Sequence, residues 1–338
     1  MAVTRTSTVE LIDLTDKINK IPRTPSVFDQ LLDVSDESVT TTTVQVDVVQ
    51  RNLDLMVAQR RGGERTNLKN ASYITKSFVT PFFTLDGAIK PTDLQNLRQA
   101  GTANDVETVD NVRMNIMEDT RRYHKALRQK AVAEAIKGLS YVGNDLYPVY
   151  NYYTEFGVSQ TTVPFDFTSA TMDPMKQAEI ARRAIVDNAQ DGASGYQIVC
   201  LCGYKFFDGL LANPTFREAY QFYLNGKQPL RERMSGNSNI RQMEHGNIVY
   251  IDVSSEKLGG AALLGDNDGY FIPVGIPDMF RAFYAPGDLI DEVNKPGKEI
   301  YMIEKRDYRS VKMETETSMI VVNTRPDLVV YAQATHPA

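Results

Sequence analysis

The chain has 338 residues, is 42% hydrophobic and carries a formal charge of −6 from 37 basic and 43 acidic residues. This length predicts two or three domains with a real core, and the acidic balance argues against a dedicated nucleic-acid binder. Met1 to Ser7 lack the apolar centre of a signal peptide, and no run approaches the ~18 apolar residues of a membrane span. We therefore expect a cytosol-like compartment and no membrane partner.

The first predicted element is a short amphipathic helix. Ser7 and Glu10 have the spacing of a capping box, and a helical stripe of apolar residues follows until Pro22. The stripe consists of Leu11, Leu14, Ile18 and Ile21. The polar, proline-broken residues 22–25 give this helix little to pack against, which indicates an arm that lies on another surface. An ordinary surface helix is the alternative.

A long two-stranded hairpin is predicted next. Val44 to Val48 alternate apolar and polar residues as a half-buried strand does, and Ser77 to Leu85 are β-rich, with Pro81 limiting them to an edge strand. Between them lies a polar, basic tip, Gln59 to Arg65. Two strands alone are marginal in water, so the hairpin needs a partner surface. The tip arginines fit a solvated loop better than a phosphate site, because no aromatic residues interleave with them.

One uninterrupted helix is predicted from Asn104 to Lys137, a range without Pro or Gly. Asn104 caps its start, and Gly138 supplies the left-handed turn after its end. Its apolar stripe is Val109, Val112, Ile116, Tyr123, Leu127, Ala131 and Ala135. Such a rod is about 50 Å long at ~1.5 Å per residue, which one compact domain cannot cover. We call it the spine helix.

The charges of the spine helix are ordered along its axis. Acidic residues dominate the half that begins at Asp105, and basic residues dominate the half that includes Arg121 and Arg122. A solvated polar face explains this pattern, in accord with the helix dipole. The alternative is that the acidic half of one copy meets the basic half of another, in which case assembly would weaken with salt.

The remaining chain is predicted to form an α/β block inserted into a helix-plus-sheet platform. Tyr141 to Tyr153 form a hairpin around Gly143-Asn144-Asp145, and Asp173-Pro174 start a helix that runs to about Ala189. Alternating strands and helices follow. They are the strand 197–202, the helices 204–211 and 215–223, the strand 247–253, and a hairpin of 261–264 with 270–274. The terminal strands 299–305, 310–317, 319–323 and 328–331 return to the platform.

Every catalytic template fails at a specific residue. Asp266 stands where a P-loop needs Lys, and Tyr196 replaces the second Gly of a nucleophile elbow. The three histidines lack paired-ligand spacing. Cys200 and Cys202 alternate on one predicted strand, where a disulfide is geometrically poor, so we interpret both as buried small residues. The sequence predicts no enzyme, no cofactor and no metal site.

The order of these pieces resembles the major capsid proteins of tailed bacteriophages. It is most similar to the lambda-type head proteins of capsid family E, which have the Hong Kong 97-type fold. The resemblance covers nearly the whole chain and rests on the order and spacing of short segments. These are Val9-Glu10-Leu11, the tip Arg60-Arg61-Gly62-Gly63, the strand and helix from Ile198 to Phe207, Leu264-Gly265 and Pro326-Asp327.

The resemblance implies an α+β chain with five parts. They are an N-terminal arm (1–43), an extended loop (44–90), a peripheral domain (91–171) that contains the spine helix 104–137, an axial domain (172–286), and peripheral return strands (287–338). Some relatives crosslink through Lys and Asn, but no motif here fixes such partners, and we predict no crosslink. The implied contacts between subunits are Leu11, Leu14, Ile18, Arg60, Arg61, Gly62, Gly63, Arg65, Arg121, Arg122 and Leu127.

The predicted function is therefore structural: an icosahedral phage head shell that encloses double-stranded DNA. Its partners are expected to be copies of itself in hexamers and pentamers, together with portal, scaffold or protease, and decoration proteins. Assembly is expected in the host cytoplasm, and the virion is the final location. A nanocompartment shell of the same fold and a soluble α/β enzyme are the rival interpretations.

Overall fold

The computed structural model describes residues 10–22, 26–50, 72–95, 108–169, 171–189, 195–226 and 240–336. The elements of the first half are β1 (Glu10–Asp13), α1 (Thr15–Lys20), α2 (Val27–Leu31), β2 (Val34–Ser38), β3 (Thr43–Gln50), β4 (Ser72–Val79), β5 (Phe82–Ile89), α3 (Val109–Ile136), α4 (Tyr152–Phe156) and β6 (Thr161–Asp166). In the part of the chain that is described, no helix is long and apolar enough to span a membrane.

The second half alternates helices and strands before it ends in strands. Its elements are α5 (Pro174–Asn188), β7 (Gln197–Cys202), α6 (Tyr204–Ala212), α7 (Pro214–Gly226), β8 (Gln242–His245), β9 (Ile248–Asp252), β10 (Lys257–Leu258), β11 (Ala261–Ala262), β12 (Asp268–Val274), β13 (Phe280–Ala285), β14 (Tyr301–Arg306), β15 (Val311–Asn323) and β16 (Val330–Thr335). The predicted mixture of helices and sheets is confirmed.

The first six-stranded sheet, which we call the platform sheet, has the strand order β1-β14-β15-β13-β2. The sixth strand, β5, also pairs with β15. The long strand β15 pairs with β14 and β5 along its first half and with β13 along its second half. The predicted segments 310–317 and 319–323 are thus one continuous strand. The platform sheet combines strands from both ends of the chain. The predicted platform strand 328–331 does not join it, because β16 pairs with β6 and β12 instead.

The second six-stranded sheet, the inserted sheet, has the order β6-β16-β12-β7-β9-β8. Its strand β7 is parallel to β9 and antiparallel to β12. The sheets divide the chain differently from the predicted boundaries 172–286. β13 belongs to the platform sheet, while β6 and β16 belong to the inserted sheet. The predicted hairpin of 261–264 with 270–274 is wrong, because β11 pairs with β10 and β12 pairs with β7 and β16.

The spine helix is α3, and the structure shortens its predicted start. It begins at Val109, where the Thr108 side chain accepts a hydrogen bond from the Asn111 N–H; Asn104 lies outside the described residues. Its end is as predicted. Gly138 has a φ of 83°, its N–H donates to Ala135 O, and the Leu139 N–H donates to Glu134 O. These two bonds form the Schellman arrangement that closes helices.

The predicted apolar stripe of the spine helix faces the core except at Tyr123, which is 66% exposed. Ala131 and Ala135 are buried, and the remaining stripe residues are partly buried against the hydrophobic cores, namely Val109, Val112, Ile116 and Leu127. The buried residues are Met117, Thr120, Arg121, His124, Arg128, Gln129, Ala131, Val132, Ala133, Ala135 and Ile136. Apolar periodicity does not reveal the polar residues on the buried side, because arginine, histidine and glutamine face the core here.

The short N-terminal helix that the stripe from Leu11 to Ile21 predicts is present only in its second part. Glu10–Asp13 form β1, which pairs antiparallel with β14, and the helix α1 begins only at Thr15. The Thr15 N–H donates to the Asp13 carboxylate at 2.8 Å. Pairing with a strand almost 300 residues away overrides the local helical spacing, and Ser7 lies outside the described residues.

The predicted extended hairpin is present, with one corrected strand. β3 pairs antiparallel with β4, with Val44 opposite Phe78, and this two-stranded unit belongs to neither six-stranded sheet. The segment predicted as a single strand from Ser77 to Leu85 is divided at Pro81. Its second part is β5, which pairs with β15. The tip of the hairpin lies outside the described residues.

The predicted hairpin of 141–153 is reduced to a closed loop. Leu139 and Asn151 form one isolated antiparallel bridge, and Gly143 takes a φ of 78° at the turn. The segment that follows is not a strand but the short helix α4, which Asn151 caps by accepting bonds from the Tyr153 and Thr154 N–H groups.

Candidate assembly surfaces

The spine helix is attached to the platform sheet by a bidentate ion pair. The Arg113 Nε lies 2.6 Å and its Nη2 3.0 Å from the carboxylate oxygens of Glu304, whose side chain is fully buried in β14. The hydrogen bonds to Glu304 raise the pKa of Arg113, so the guanidinium remains charged. Asp110 also contacts Arg113 from one turn earlier in the helix.

Two further arginines join the spine helix to other parts of the chain. Arg121 Nη2 lies 3.0 Å from a carboxylate oxygen of Glu299. Arg128, almost fully buried, contacts Asp29 at 3.2 Å, Asp36 at 2.5 Å and the Tyr284 hydroxyl at 2.7 Å. These contacts hold the segment 27–38 and the strand β13 against the spine helix.

The alternative that the acidic half of one spine helix meets the basic half of another receives no support from the basic half. Lys130 and Lys137 both contact Glu134 within the helix, at 2.7 and 3.1 Å, and Arg121 and Arg128 have partners elsewhere in the chain. Because these side chains already form ion pairs within the subunit, we expect them to contribute little to ion pairs with a second copy.

The structure separates the three predicted contacts of the N-terminal arm. Leu11 is 63% exposed on β1, an outer strand of the platform sheet, so it remains available to another subunit. Leu14 and Ile18 are buried in the chain's own core, so neither side chain lies at the surface of this subunit. That core also contains Ile89, Met117, Ile300, Met302 and Met313.

The other predicted contacts fall into three groups. Arg60, Arg61, Gly62, Gly63 and Arg65 lie outside the described residues. Arg122 is exposed and pairs with Asp119 one turn away, at 3.1 Å. Arg121 and Leu127 make contacts within the subunit. Arg121 forms an ion pair with Glu299, and Leu127 packs against the main hydrophobic core.

Sequence reasoning missed several exposed apolar residues in loops. Leu146 and Val149 are exposed on the closed loop, and Ile290 and Val293 are exposed between β13 and β14. Tyr308 is exposed in the turn between β14 and β15. Apolar periodicity identifies helices and strands but not exposed apolar residues in turns. Such residues are frequent at protein interfaces.

A buried polar cluster also escaped prediction. The His124 Nε2 and the Arg121 Nε and Nη1 are buried without hydrogen-bond partners in the structure. Burial and the neighbouring Arg121 charge lower the pKa of His124 to about 4, so the imidazole is neutral near neutral pH.

The two cysteines are close together but reduced. Their sulfur atoms lie 3.5 Å apart on β7, both are fully buried, and burial raises the pKa of the Cys200 thiol. Among the residues that the structure describes, no group of three His, Cys, Asp or Glu side chains is arranged to hold a metal ion.

Known proteins resemble this chain along nearly its whole length. The model of the family described as phage major capsid protein E matches residues 10–334. The major capsid protein of Pseudomonas phage KPP10 is 29% identical over 340 residues, covering 96% of this chain and 97% of that protein. The major capsid protein of Salmonella phage Felix O1 is 24% identical over 357 residues, covering 96% of each.

Solved structures show the same fold at low sequence identity. A crystal structure described as that of a prophage capsid protein from E. coli CFT073 matches with a TM-score of 0.61 at 13% identity, covering 96% of this chain and all of that one. The mature capsid of bacteriophage PhiM1 matches with a TM-score of 0.54 at 12% identity, covering 94% and 89%. The fold is thus the Hong Kong 97-type fold of phage capsid proteins. Within that class, the chain belongs to the phage major capsid protein E family, as its sequence resemblance implied.

Proposed function

We propose that this chain is the repeating subunit of a closed, icosahedral phage head shell, built from hexamers and pentamers, that encloses double-stranded DNA without reading its sequence. The family match over residues 10–334 carries the proposal, because it spans both sheets, the spine helix and the hairpin. The capsid names of both curated relatives agree with it. They favour neither a nanocompartment shell nor a soluble enzyme.

The hairpin supports contacts between copies. Its inner face is buried on the subunit, through Val44, Val46 and Phe78, while its outer face is exposed from Thr75 to Val79 at alternate positions. A two-stranded unit outside any larger sheet is marginal by itself and gains stability when another surface covers it. A second copy supplies that surface in the proposed shell, with Leu11 as a further contact.

The partners beyond the shell are proposed from the family alone. Portal, scaffold or protease, and decoration proteins are the expected ones, with assembly in the host cytoplasm and the virion as the final location. Since the subunit carries a net charge of −6, enclosed DNA is expected to be held by closure of the shell rather than by bulk attraction.

Expression of the full chain tests the proposal. We expect uniform closed particles in gradient sedimentation and negative-stain electron microscopy. A variant with Arg60→Ala, Arg61→Ala and Arg65→Ala is expected to assemble less well than wild type. The control, with equal loss of charge at exposed sites, is Lys176→Ala with Arg217→Ala and Lys257→Ala. A chain that stays monomeric at every concentration and salt level would overturn the proposal.

A further inference from the structure

The inner face of the β3–β4 hairpin rests on aromatic side chains that follow the spine helix. Phe78 is fully buried, and its ring centroid lies 5.1 Å from that of Tyr150, 5.8 Å from Tyr152 and 6.1 Å from Phe156. All three contacts are edge-to-face, an arrangement that aromatic pairs prefer. We call residues 150–156 the aromatic seat.

Two polar contacts join the same two parts. The Val79 N–H donates to the Tyr150 hydroxyl at 3.1 Å, and the Lys76 Nζ lies 3.4 Å from a carboxylate oxygen of Glu155. Lys76 and Phe78 share one face of β4, so the ion pair and the ring contacts act on the same side of the hairpin. The hairpin is thus attached to the aromatic seat by both packing and directional bonds.

The aromatic seat is itself fixed to the spine helix and the platform sheet. The Tyr152 N–H donates to Gly138 O at 2.8 Å, and its hydroxyl donates to Val321 O at 2.6 Å. The Ser140 N–H donates to Tyr150 O at 2.9 Å, and the Tyr150 N–H donates to the Ser140 hydroxyl at 2.8 Å. A rotation of the spine helix end would therefore carry the aromatic seat with it.

The chain connections of the hairpin to the platform sheet are short. Thr80 and Pro81 alone separate β4 from β5, and residues 39–42 separate β2 from β3. Eight residues of strand span about 26 Å, so a rotation of about 10° at the base moves the far end by about 5 Å. Small changes where the hairpin is attached thus become large displacements at the end that would reach a neighbour.

We propose that the aromatic seat sets the direction of the hairpin and thereby the geometry with which one subunit meets the next. This inference rests on the proposed function, in which the hairpin contacts a second copy. Tyr150, Glu155 and Phe78 are positioning residues in this scheme. They act on assembly through the angle of the hairpin.

Spin labels on unassembled subunits test the proposal. Cysteines introduced by Thr75→Cys and Lys90→Cys are both at exposed positions, one farther out on the hairpin and one beside β5, whereas Cys200 and Cys202 are too buried to label. Double electron–electron resonance then measures the hairpin-to-platform distance. Loss of one hydrogen bond in Tyr150→Phe should raise the population of displaced hairpin about fivefold.

The variants are Tyr150→Phe and Glu155→Gln, separately and combined. The control is Tyr141→Phe, which makes the same chemical change in the same loop, where the ring stacks on Phe83 of β5 instead of the hairpin. We expect broader distance distributions and shells of irregular size for the variants, narrow distributions and normal shells for the control, and melting temperatures close to wild type throughout.

Unchanged distances in the combined variant would overturn the proposal, whatever happens to the shells. Broadened distances with normal shells would also overturn it, because the hairpin angle would then not govern assembly. If the wild-type chain forms no shells at all, the proposed function fails, while the distance measurement still decides whether the aromatic seat orients the hairpin.

Discussion

Removal of the Arg113 guanidinium is the sharpest test of how the spine helix is held. Arg113→Met keeps the aliphatic stem but leaves the fully buried carboxylate of Glu304 without its bidentate partner. Arg306 Nη2 lies farther from this carboxylate, at 3.8 Å, and cannot replace the bidentate contact. Losing one member of a buried pair costs about 3–5 kcal/mol, and the partial exposure of Arg113 places the loss near the lower end, about 3 kcal/mol.

Thermal unfolding of unassembled subunits, followed by calorimetry and circular dichroism, measures this loss. The matched control is Arg122→Met, on the same helix, because Arg122 and its partner Asp119 are both largely exposed. That change should alter stability by less than about 0.5 kcal/mol.

A second change separates the ion pair from simple packing. In the double variant Arg113→Met with Glu304→Leu the buried charge is gone as well, so most of the lost stability should return. Equal melting temperatures for Arg113→Met and Arg122→Met would refute the view that the buried pair holds the spine helix to the platform sheet.

Three other predictions follow from single positions. Gly138→Ala should destabilise the subunit far more than Gly157→Ala. Both glycines have positive φ, which costs about 1–2 kcal/mol for alanine, but of the two only an alanine at 138 would place its Cβ against another side chain, the Tyr153 ring. Equal melting temperatures would contradict this. Because the folded-state pKa of His124 is lowered from 6.5 to about 4, stability should be complete above pH 6.5 and fall by about 3 kcal/mol as the pH drops to 4. His124→Gln should flatten this profile in pH-dependent melting, and an unchanged slope would exclude His124. Leu127→Asp should lower the melting temperature because Leu127 packs on the chain's own core, whereas Tyr123→Asp should not; similar shifts would refute the corrected stripe.

Elements with strong local signals could be predicted from the sequence. The strand Gln197–Cys202 matches its predicted bounds, and the helix at Pro174 begins where Asp173 caps it, as expected. Gly138 ends the spine helix because the left-handed turn there favours glycine. These features depend on neighbouring residues alone, so no knowledge of the rest of the chain was needed.

Features set by distant pairing could not be predicted in the same way. Leu11 has helical spacing to its neighbours but lies in a strand because β14 pairs with it. Pro81 marks a real break, yet the sequence does not reveal that the residues on its two sides join different sheets. The candidate contacts between subunits were the hardest to predict. From the sequence alone, Leu14 and Ile18 could pack equally well on a neighbouring subunit or in the subunit's own core.

The polar residues of the spine helix explain why we expect most contacts between copies to lie elsewhere. Arg113 reaches Glu304 across 191 residues of sequence, and Arg128 reaches Asp29 across 99. A helix with such partners fastens the two ends of one chain together, and this leaves few of its charges for a second copy. The hairpin, by contrast, has one face on the subunit and one face open. Contacts between copies are therefore expected to depend on the exposed side of β3 and β4 and on the direction in which the aromatic seat holds them.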